Sequence, residues 1–407
     1  QSGDQIISVD GKTVAGIGIT NREVFDYLRG PSGSKVAVEI KRKNAPKLIP
    51  YQITRAKIPQ YSINATYMVD QEIGYIKVTR FAATTYDEFR KSVADLQAKG
   101  MKKLIIDLQG NPGGYMGAAI YMVDELLGGR DLIVSQVGKV SQYNNKAYAS
   151  KPGMFEEGSV IILINEGSAS ASEIMAGAIQ DNDRGLIVGR RSFGKGLVQM
   201  PIDLSDGAEL RLTIARYFTP SGRSIQKPYD SDYEAYETDL NNRYEKGEFF
   251  SADSIQFNDS LKYKTKKGRT VYGGGGIMPD YFVPLDTTMN SAYVNKLFST
   301  DASREYLLDY VSKNKSKFSK ITVEDYYKTF KVSDAMLMDL ADFGKKNKVE
   351  FDAKDFAKSK EYLRILIKAH LGRQLYDDSA FYKVINDINE VYQQAIKLFG
   401  EADKINL

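Results

Sequence analysis

Apolar positions recur with two different periods along the chain, and they predict strands first and helices later. Between residues 35 and 42 apolar and polar positions alternate, which is the pattern of a half-buried strand. Residues 103–108 and 185–189 are short apolar runs, which predict buried strands. Towards the C-terminus, apolar residues at three- and four-residue spacing predict helices, at Leu363, Leu366 and Ile367 and again at Val384, Ile388, Val391, Ala395 and Leu398.

The clearest helix start lies at Ser170. Ser170 and Glu173 match the S-x-x-E capping box, and residues 171–180 are good helix formers. Free amide groups at a helix N-terminus point outward, and the dipole there favours negative charge. Two compatible interpretations follow: Ser170 is a helix cap only, or it is also a nucleophile beside amides that can form an oxyanion hole.

Composition excludes several classes of function. The chain has 407 residues, enough for two or three domains, and 42% of them are hydrophobic, enough for ordinary cores. The net charge of +4 does not favour nucleic acid as a partner. There is no cysteine and one histidine, His370, so the sequence offers no Cys/His cluster for zinc. No run of 18 apolar residues predicts a membrane-spanning helix.

The serine-rich segment 167–173 and the glycine-flanked Lys195 are the candidate chemistry. His370 lies far downstream in a different segment, as an expected helical residue, so a serine nucleophile needs another base. An amine can deprotonate a serine hydroxyl only when burial or cationic neighbours lower its pKa. Ser168 and Ser172 are rival nucleophiles on composition alone, and the alternative for the lysine is a solvated surface side chain.

Two further segments accompany this pair. The strand at 103–108 runs into a glycine-rich turn at 109–114 and then into a helix over 118–127, so backbone amides again face a helix start; an ordinary tight turn is the alternative. If residues 195–199 are extended, Lys195 and Gln199 share one face, and Gln199 can orient the lysine or a substrate group. The lysine lacks the following Ser/Thr of a Walker A motif, which excludes that phosphate site.

Together these segments resemble the carboxy-terminal processing peptidases, also called tail-specific proteases. The resemblance covers roughly residues 1–285, and its landmarks are residues 107–114, 167–174, 193–196 with Gln199, 215–223 and 276–280. One departure is Arg190-Arg191, where many members carry Glu-Pro or similar, which changes the charge near the cleft.

The resemblance implies a Ser-Lys mechanism that needs no cofactor and no metal. It assigns the roles as follows: nucleophile Ser170, general base Lys195, lysine-supporting Gln199, oxyanion-hole amides Gly114 and Ala171, and a supporting acidic residue, Asp181.

The resemblance also implies an α/β multidomain fold. Residues 1–56 are expected to be a partial, β-rich PDZ domain with its groove helix at 21–30 and its carboxylate-binding loop before residue 1. Residues 57–288 are expected to be a crotonase/Clp-protease-like protease core. A polar, tyrosine-rich stretch at about 230–272, which includes Tyr229 at its border, reads as an insertion or mobile loop. Residues 289–407 are expected to be an all-α appendage.

The function implied is a serine endopeptidase that cleaves protein or peptide substrates near their C-termini, with PDZ-assisted recognition. A periplasmic or other extracytoplasmic location is expected, since the lack of cysteine fits an oxidising compartment, and a leader or membrane-associated segment would lie upstream. The C-terminal helices are expected to bind a partner or adaptor, form a homo-oligomer or shape access to the cleft. Two alternatives stay open: a non-catalytic PDZ scaffold and an acyl-CoA enzyme of the crotonase-like fold.

Overall fold

The computed structural model describes residues 3–42, 45–228 and 233–406. Tyr229 and residues 230–232, which open the predicted insertion, lie outside the described residues. The chain forms two compact units. The first comprises Gln1–Gln60, Asn295–Ile321 and Asp334–Asp352, and the second comprises Tyr61–Val294, Thr322–Ser333 and Ala353–Leu407.

The strands of the described ranges are β1 Gln5–Val9, β2 Lys12–Thr13, β3 Lys35–Lys41, β4 Ile49–Thr54, β5 Ile63–Met68, β6 Ile73–Val78, β7 Lys103–Asp107, β8 Leu132–Gly138, β9 Asn145–Tyr148, β10 Ser159–Ile164, β11 Gly185–Gly189, β12 Leu197–Asp203, β13 Glu209–Phe218, β14 Lys262–Lys264, β15 Thr270–Tyr272 and β16 Tyr281–Phe282.

The α-helices of the same ranges are α1 Asn21–Leu28, α2 Thr85–Gln97, α3 Met116–Asp124, α4 Ala171–Asp181, α5 Tyr233–Glu245, α6 Ala292–Ser299, α7 Asp301–Phe318, α8 Val323–Thr329, α9 Asp334–Lys346, α10 Ala353–Lys358, α11 Lys360–Leu375, α12 Asp378–Ile385, α13 Glu390–Lys397 and α14 Phe399–Asn406. Short 3₁₀ turns lie at Ser141–Tyr143, Ala252–Ser254, Asp259–Leu261 and Asn386–Ile388.

The second unit is built on a six-stranded sheet in the order β16-β11-β10-β7-β6-β5. All neighbouring pairs are parallel except β5–β6 at one edge. In the middle of the sheet Ile162 of β10 pairs with Ile106 of β7 and Ile187 of β11. The predicted strands at 103–108 and 185–189 are confirmed, and they are continuous apolar runs because helices cover both faces of this sheet.

Two apolar cores lie on the two faces of that sheet. One joins the sheet to α2, α3 and α4 through fully buried side chains such as Phe89, Met122 and Met175. The other joins it to α13 and α14 through Val391, Phe399 and neighbours. Because the strands are parallel, the carboxyl ends of β7, β10 and β11 meet at one edge. That edge is where three segments follow: the glycine turn at 109–114, the serine segment at 167–173 and the lysine segment, defined as residues 190–196.

A second, antiparallel sheet in the order β12-β13-β8-β9 belongs to the same unit. Its edge strand β12 begins two residues after Lys195, and its register against β13 shifts between Val198 and Gln199, which marks a β-bulge. The lysine segment therefore links the carboxyl end of β11 to this second sheet.

The first unit contains a four-stranded antiparallel sheet in the order β2-β1-β3-β4. Its small core is formed by Val9, Val14, Val36, Val38 and Ile40, so the alternation seen from residue 35 faces inward on one side. Helix α1 begins with a capping box between Thr20 and Glu23. The predicted helix at 21–30 and the predicted strand at 35–42 are confirmed within two residues.

The C-terminal helices differ from the expectation in two respects. The stripe that starts at Val384 is not one helix, because α12 ends at Ile385 and α13 begins at Glu390. Buried Asn386 donates to Tyr67 at 2.9 Å, and Asn389 caps α13, so two asparagines interrupt the helix between these segments. Moreover, residues 289–407 divide between the two compact units, whereas the sequence predicts a separate appendage. The predicted domain boundaries at 56 and 288 stay a prediction.

The predicted insertion is an ordered element over its described part. Residues 233–245 form helix α5, and β14 and β15 pair as a two-stranded ribbon. The interpretation of this stretch as a loop is therefore wrong for residues 233–245, which form a helix that contacts the segment preceding Lys195. Within the described ranges, no helix is both long and apolar enough to cross a membrane.

Candidate active site

Ser170 occupies a strained turn between β10 and α4. Its backbone has φ 56° and ψ −114°, a conformation that residues other than glycine rarely adopt. In the first turn of α4, the amides of Glu173 and Ile174 donate to the carbonyl of Ser170 at 2.8 and 3.0 Å. A strand–turn–helix with a strained residue at its apex is a geometry that presents a nucleophile above a sheet edge. The predicted helix start at this position is confirmed.

The three serines of the segment have different environments. The hydroxyl of Ser168 donates to the carbonyl of Leu108 at 2.8 Å, and that of Ser172 donates to the carbonyl of Asn111 at 2.9 Å. Both side chains are completely buried, whereas Ser170 is partly exposed. The two rival serines therefore hold the glycine turn against the serine segment, and Ser170 alone of the three reaches the surface.

Buried Glu173 connects the serine segment to the lysine segment. Its Oε2 accepts the backbone N–H groups of Ser170 and Lys195, each at 2.8 Å. Its Oε1 accepts the N–H of Gly194 at 2.7 Å and the hydroxyl of Ser192 at 2.5 Å. Burial raises the pKa of Glu173 to about 7, against the opposing effect of these four donors.

Tyr217 of β13 forms a second link between the two segments. Its hydroxyl lies 2.5 Å from the carbonyl oxygen of Lys195 and 3.1 Å from that of Ser170, and its single proton can be donated to either. The ring is buried, which raises the pKa of Tyr217 well above its usual value and keeps the hydroxyl a donor. Glu173 and Tyr217 therefore connect the backbones of Ser170 and Lys195. In the described ranges no hydrogen bond joins the side chains of Ser170 and Lys195, and their pairing as nucleophile and base stays a prediction.

The glycine turn after β7 packs directly on Ser170. A β-carbon on Gly113 would lie 2.7 Å from the Ser170 β-carbon and 2.9 Å from the Ala171 nitrogen, and Gly113 has φ 97°. A β-carbon on Gly114 would lie 2.0 Å from the Phe81 carbonyl oxygen. Only glycine fits at these two positions, which explains why the turn contains the pair.

The predicted oxyanion-hole amides have a distinctive hydrogen-bond status. In the part of the chain that the structure describes, the N–H groups of Gly114 and Ala171 donate to no protein acceptor. Their neighbours do, since Gly113 donates to the Asn111 side chain and Tyr115 donates to the Phe81 carbonyl. An unused amide beside a nucleophile is the arrangement that a developing oxyanion requires.

Two other predicted residues lie away from this cluster of contacts. Gln199 is exposed just after the β-bulge in β12, and no hydrogen bond between Gln199 and Lys195 is seen in the described ranges. Asp181 ends α4 and pairs with Arg223 at 2.8 Å, with both side chains fully buried. It also accepts the N–H of Ser221 at 3.0 Å, so its contacts are structural. The roles predicted for both residues stay predictions.

Each of the two adjacent arginines pairs with a carboxylate. Arg190 is buried and pairs with Glu166 at 2.8 Å. Arg191 pairs with Glu248 at 2.5 Å and donates to the Gly275 carbonyl at 2.9 Å. The expected increase in positive charge near the cleft is therefore offset only in part, because Glu248 also pairs with Arg243.

His370 lies half-buried in α11, with its ring edge-on to Phe381 at a centroid distance of 5.1 Å. Burial and the nearby Arg373 lower the pKa of His370 to about 4, so the imidazole is neutral near pH 7. The expectation of a helical histidine is confirmed.

Sequence reasoning missed three residues of this site. Glu173 was noted only as half of a capping box, Tyr217 only as part of a landmark, and Gly113 only as a neighbour of Gly114. The signal for Glu173 was present, because an acidic residue inside an otherwise apolar buried helix needs several donors. No local pattern pointed to Tyr217, which reaches the site from a distant strand.

Comparison with known proteins identifies two families that match parts of this chain. Residues 72–235 match peptidase family S41, and residues 293–377 match a family of unknown function (DUF8443). The resemblance inferred from the sequence is thereby confirmed, and the matched residues include most of the mixed α/β core described above.

Curated relatives agree with that family. A carboxy-terminal-processing protease of Bartonella bacilliformis is 37% identical over 59% of this chain and 57% of its own length. The carboxy-terminal processing protease CtpB of Bacillus subtilis is 33% identical over 64% of this chain and 52% of its own length. Among solved structures, a photosystem II D1 C-terminal processing protease is 33% identical over 55% of this chain and 60% of that one, with a TM-score of 0.37. The chain spans about half the length of the curated relatives that it matches.

Proposed function

We propose that this chain is a serine endopeptidase in which Ser170 is the nucleophile and Lys195 is the general base. The observation that carries the proposal is the hydrogen-bond pattern around Glu173, which ties the backbone of Ser170 to that of Lys195. It is supported by the contrast among the three serines, since Ser168 and Ser172 commit their hydroxyls to backbone carbonyls.

Acylation begins with the neutral amine of Lys195. The amine takes the hydroxyl proton of Ser170 while Oγ forms a bond to the carbonyl carbon of the peptide, and the carbonyl oxygen becomes an oxyanion. Collapse of this intermediate breaks the C–N bond, and the ammonium of Lys195 returns its proton to the leaving amine. The product is an ester between Ser170 and the N-terminal part of the substrate.

Deacylation repeats these steps with water. The neutral Lys195 takes a proton from water as the water oxygen attacks the ester carbon, and the second intermediate collapses with release of Ser170 Oγ. The proton on the lysine then returns to Oγ, so the enzyme is regenerated and the peptide bond has been hydrolysed.

The oxyanion in both intermediates is assigned to the N–H groups of Gly114 and Ala171, which have no protein acceptor in the described ranges. Gln199 is proposed to support the lysine once substrate is bound. Asp181 is proposed to act through the fold, because its buried pair with Arg223 fixes the end of the helix that Ser170 begins.

Residues 1–56 are proposed to be a PDZ-like module that presents protein C-termini to the core at residues 57–288. The small antiparallel sheet with helix α1 supports this assignment. Such modules add a peptide strand to a sheet edge. The substrates are accordingly proteins or peptides cleaved near their C-termini, and we assign the activity to an extracytoplasmic compartment such as the periplasm.

The alternatives have less support. A non-catalytic PDZ scaffold does not require Ser170 and Lys195 to be joined through one buried carboxylate. An acyl-CoA enzyme of the crotonase-like fold does not require this pair either. The names of the relatives reported above, which are carboxy-terminal processing proteases, also favour peptide hydrolysis.

The test is cleavage of casein, an unfolded protein, by four purified forms. We expect wild type and His370→Ala to cleave it, and Ser170→Ala and Lys195→Arg to lose activity by more than about 1,000-fold with unchanged thermal unfolding. A guanidinium cannot act as the base, because it does not deprotonate in proteins. Full activity in Ser170→Ala, or loss of activity in a folded His370→Ala equal to that in Lys195→Arg, would overturn the proposal.

A further inference from the structure

Helix α5, which lies in the predicted polar insertion, contacts the segment that carries Lys195. The guanidinium of Arg243 donates to the carbonyl of Ser192 at 3.0 Å and to that of Arg191 at 2.8 Å. The side chain of Arg243 is only 4% exposed. A buried guanidinium that donates to two consecutive carbonyls fixes the orientation of the peptide groups that lead to the lysine.

Glu248 completes this arrangement. One of its oxygens accepts Nε of Arg243 at 2.8 Å and Nε of Arg191 at 2.7 Å, and the other accepts Nη2 of Arg191 at 2.5 Å. Because Glu248 lies between the two guanidinium groups, it offsets part of their charge and fixes both planes. Glu248 therefore fixes the orientation in which Arg243 donates to the backbone carbonyls.

A second set of contacts joins α5 to the same segment. The amine of Lys227 lies 4.1 Å from the ring centroids of both Phe193 and Tyr236, and it donates to Asp239 at 3.3 Å. The backbone N–H of Lys227 donates to the carbonyl of Gly194 at 3.0 Å. A cation between two rings contributes attraction that grows as the site is desolvated. Both halves of α5 thus contact the residues just before Lys195.

We propose that Arg243 is a positioning residue for Lys195, and that α5 acts as a clamp, which means that its contacts hold the lysine segment in one position. This inference rests on the proposed function. Glu173 accepts from backbone N–H groups of the segment, and Arg243 donates to its backbone carbonyl groups. Without the guanidinium, two buried carbonyls lose their donor, and the segment relaxes toward other partners. A displacement of about 1 Å at the base costs about 100-fold in rate.

Arg184 provides a matched control for this clamp. It is also buried, and it donates to the carbonyls of Leu126, Phe155 and Gly158 at 2.6, 2.8 and 2.7 Å. It precedes β11, whereas Arg243 binds the segment that follows β11, so the two arginines serve opposite edges of the sheet. Replacing either one removes a buried guanidinium from backbone carbonyls, but only Arg243 contacts the lysine segment.

The experiment measures kcat, KM and thermal unfolding for wild type, Arg243→Met, Arg243→Lys and Arg184→Met with an unfolded protein or peptide substrate. We expect kcat to fall about 100-fold in Arg243→Met, with KM close to the wild-type value, at a temperature at which each variant is folded. Arg243→Lys keeps the charge but reaches only one carbonyl well, so its kcat should lie between the two. Arg184→Met should unfold at a lower temperature and keep its kcat.

The outcomes separate this inference from the proposed function. If wild type is active and Ser170→Ala is inactive, but Arg243→Met keeps the wild-type kcat, the clamp is refuted while the proposed function stands. Equal loss of kcat in Arg184→Met and Arg243→Met would also refute it, since the effect would then be general destabilisation. If Arg243→Met does not fold, Glu248→Gln replaces it, because weaker orientation of Arg243 should lower kcat at least 10-fold, and an unchanged kcat would refute the clamp.

Discussion

The carboxylate of Glu173 accepts the backbone N–H of Lys195 at 2.8 Å, and Glu173 lies only three residues after Ser170. The same oxygen accepts the N–H of Ser170 at 2.8 Å. One buried side chain therefore sets the positions of both candidate catalytic residues through their main chains. Its protonation should affect the site more than that of any distant group, because a protonated carboxyl turns an acceptor into a donor.

The first prediction concerns Glu173→Gln. The amide has the size of the carboxyl, but its NH₂ group faces two donors, so at least one backbone contact is lost. We expect kcat to fall by at least 10-fold at all pH values. In wild type, activity should rise through about pH 7, where Glu173 ionises, and this step should be missing in the variant. A variant with the wild-type rate and pH profile would contradict the role assigned to Glu173.

The pH dependence of the unfolding free energy should differ between wild type and Glu173→Gln in a predictable direction. Burial raises the pKa of Glu173 from 4.5 to about 7, so the folded chain binds the proton more tightly than the unfolded chain. The stability that this group contributes is full below pH 4.5 and is lost as pH rises through about 7. Wild type should therefore lose on the order of 3 kcal/mol of unfolding free energy relative to Glu173→Gln across that window, measured by urea denaturation.

The second prediction uses two glycines of the same turn. Gly113→Ala places a methyl group against Ser170 and the Ala171 nitrogen, so it should lower kcat by about 100-fold or more, the loss typical of a missing oxyanion donor. Gly110 also has positive φ, 69°, but a β-carbon there meets nothing within 4 Å. Gly110→Ala should cost only the backbone strain, about 1 kcal/mol, and retain kcat. Equal kcat values in the two variants would contradict the proposed geometry.

The third prediction concerns Asp181→Asn. Removing this charge leaves Arg223 buried and uncompensated, which should lower the unfolding free energy by about 3–5 kcal/mol. Because the contacts of Asp181 lie at the far end of α4 from Ser170, the folded fraction should keep the wild-type kcat. A large loss of kcat in protein that is shown by circular dichroism to be fully folded would indicate a direct role in the reaction instead.

Much of the core could be predicted from local pattern. The strands at 103–108 and 185–189 are apolar runs with turn residues at their ends, and the helix that follows Ser170 has both a cap and strong helix formers. These signals lie within a few residues of one another, so interactions between residues close in sequence are enough to predict these strands and this helix. The choice of Ser170 and Lys195 as candidate nucleophile and base rested on the motif. The structure adds an argument for Ser170 over Ser168 and Ser172, because the other two serines are buried and donate to backbone carbonyls.

The remaining features depend on contacts between distant parts of the chain. The sequence of α5 resembles a mobile loop, because its polar and aromatic residues have no clear period. The residues that α5 contacts, Phe193 and Lys227, lie outside the helix, so its own sequence does not reveal them. Likewise, Val384 and Val391 share an apolar stripe, but Asn386 finds a buried partner in Tyr67 and divides the helix. Such partners come from tertiary packing, which a local pattern does not contain.

The most direct test of the central claim is mass-spectrometric mapping of a fluorophosphonate probe. The probe forms an Oγ–P bond with loss of fluoride, and the hydroxyl proton passes to the base, so labelling reports the nucleophile and the base together. We predict a label on Ser170 in wild type and in His370→Ala, and labelling slowed at least 100-fold in Lys195→Arg. A label on Ser168 or Ser172 instead, or undiminished labelling of Ser170 in Lys195→Arg, would contradict the Ser-Lys account.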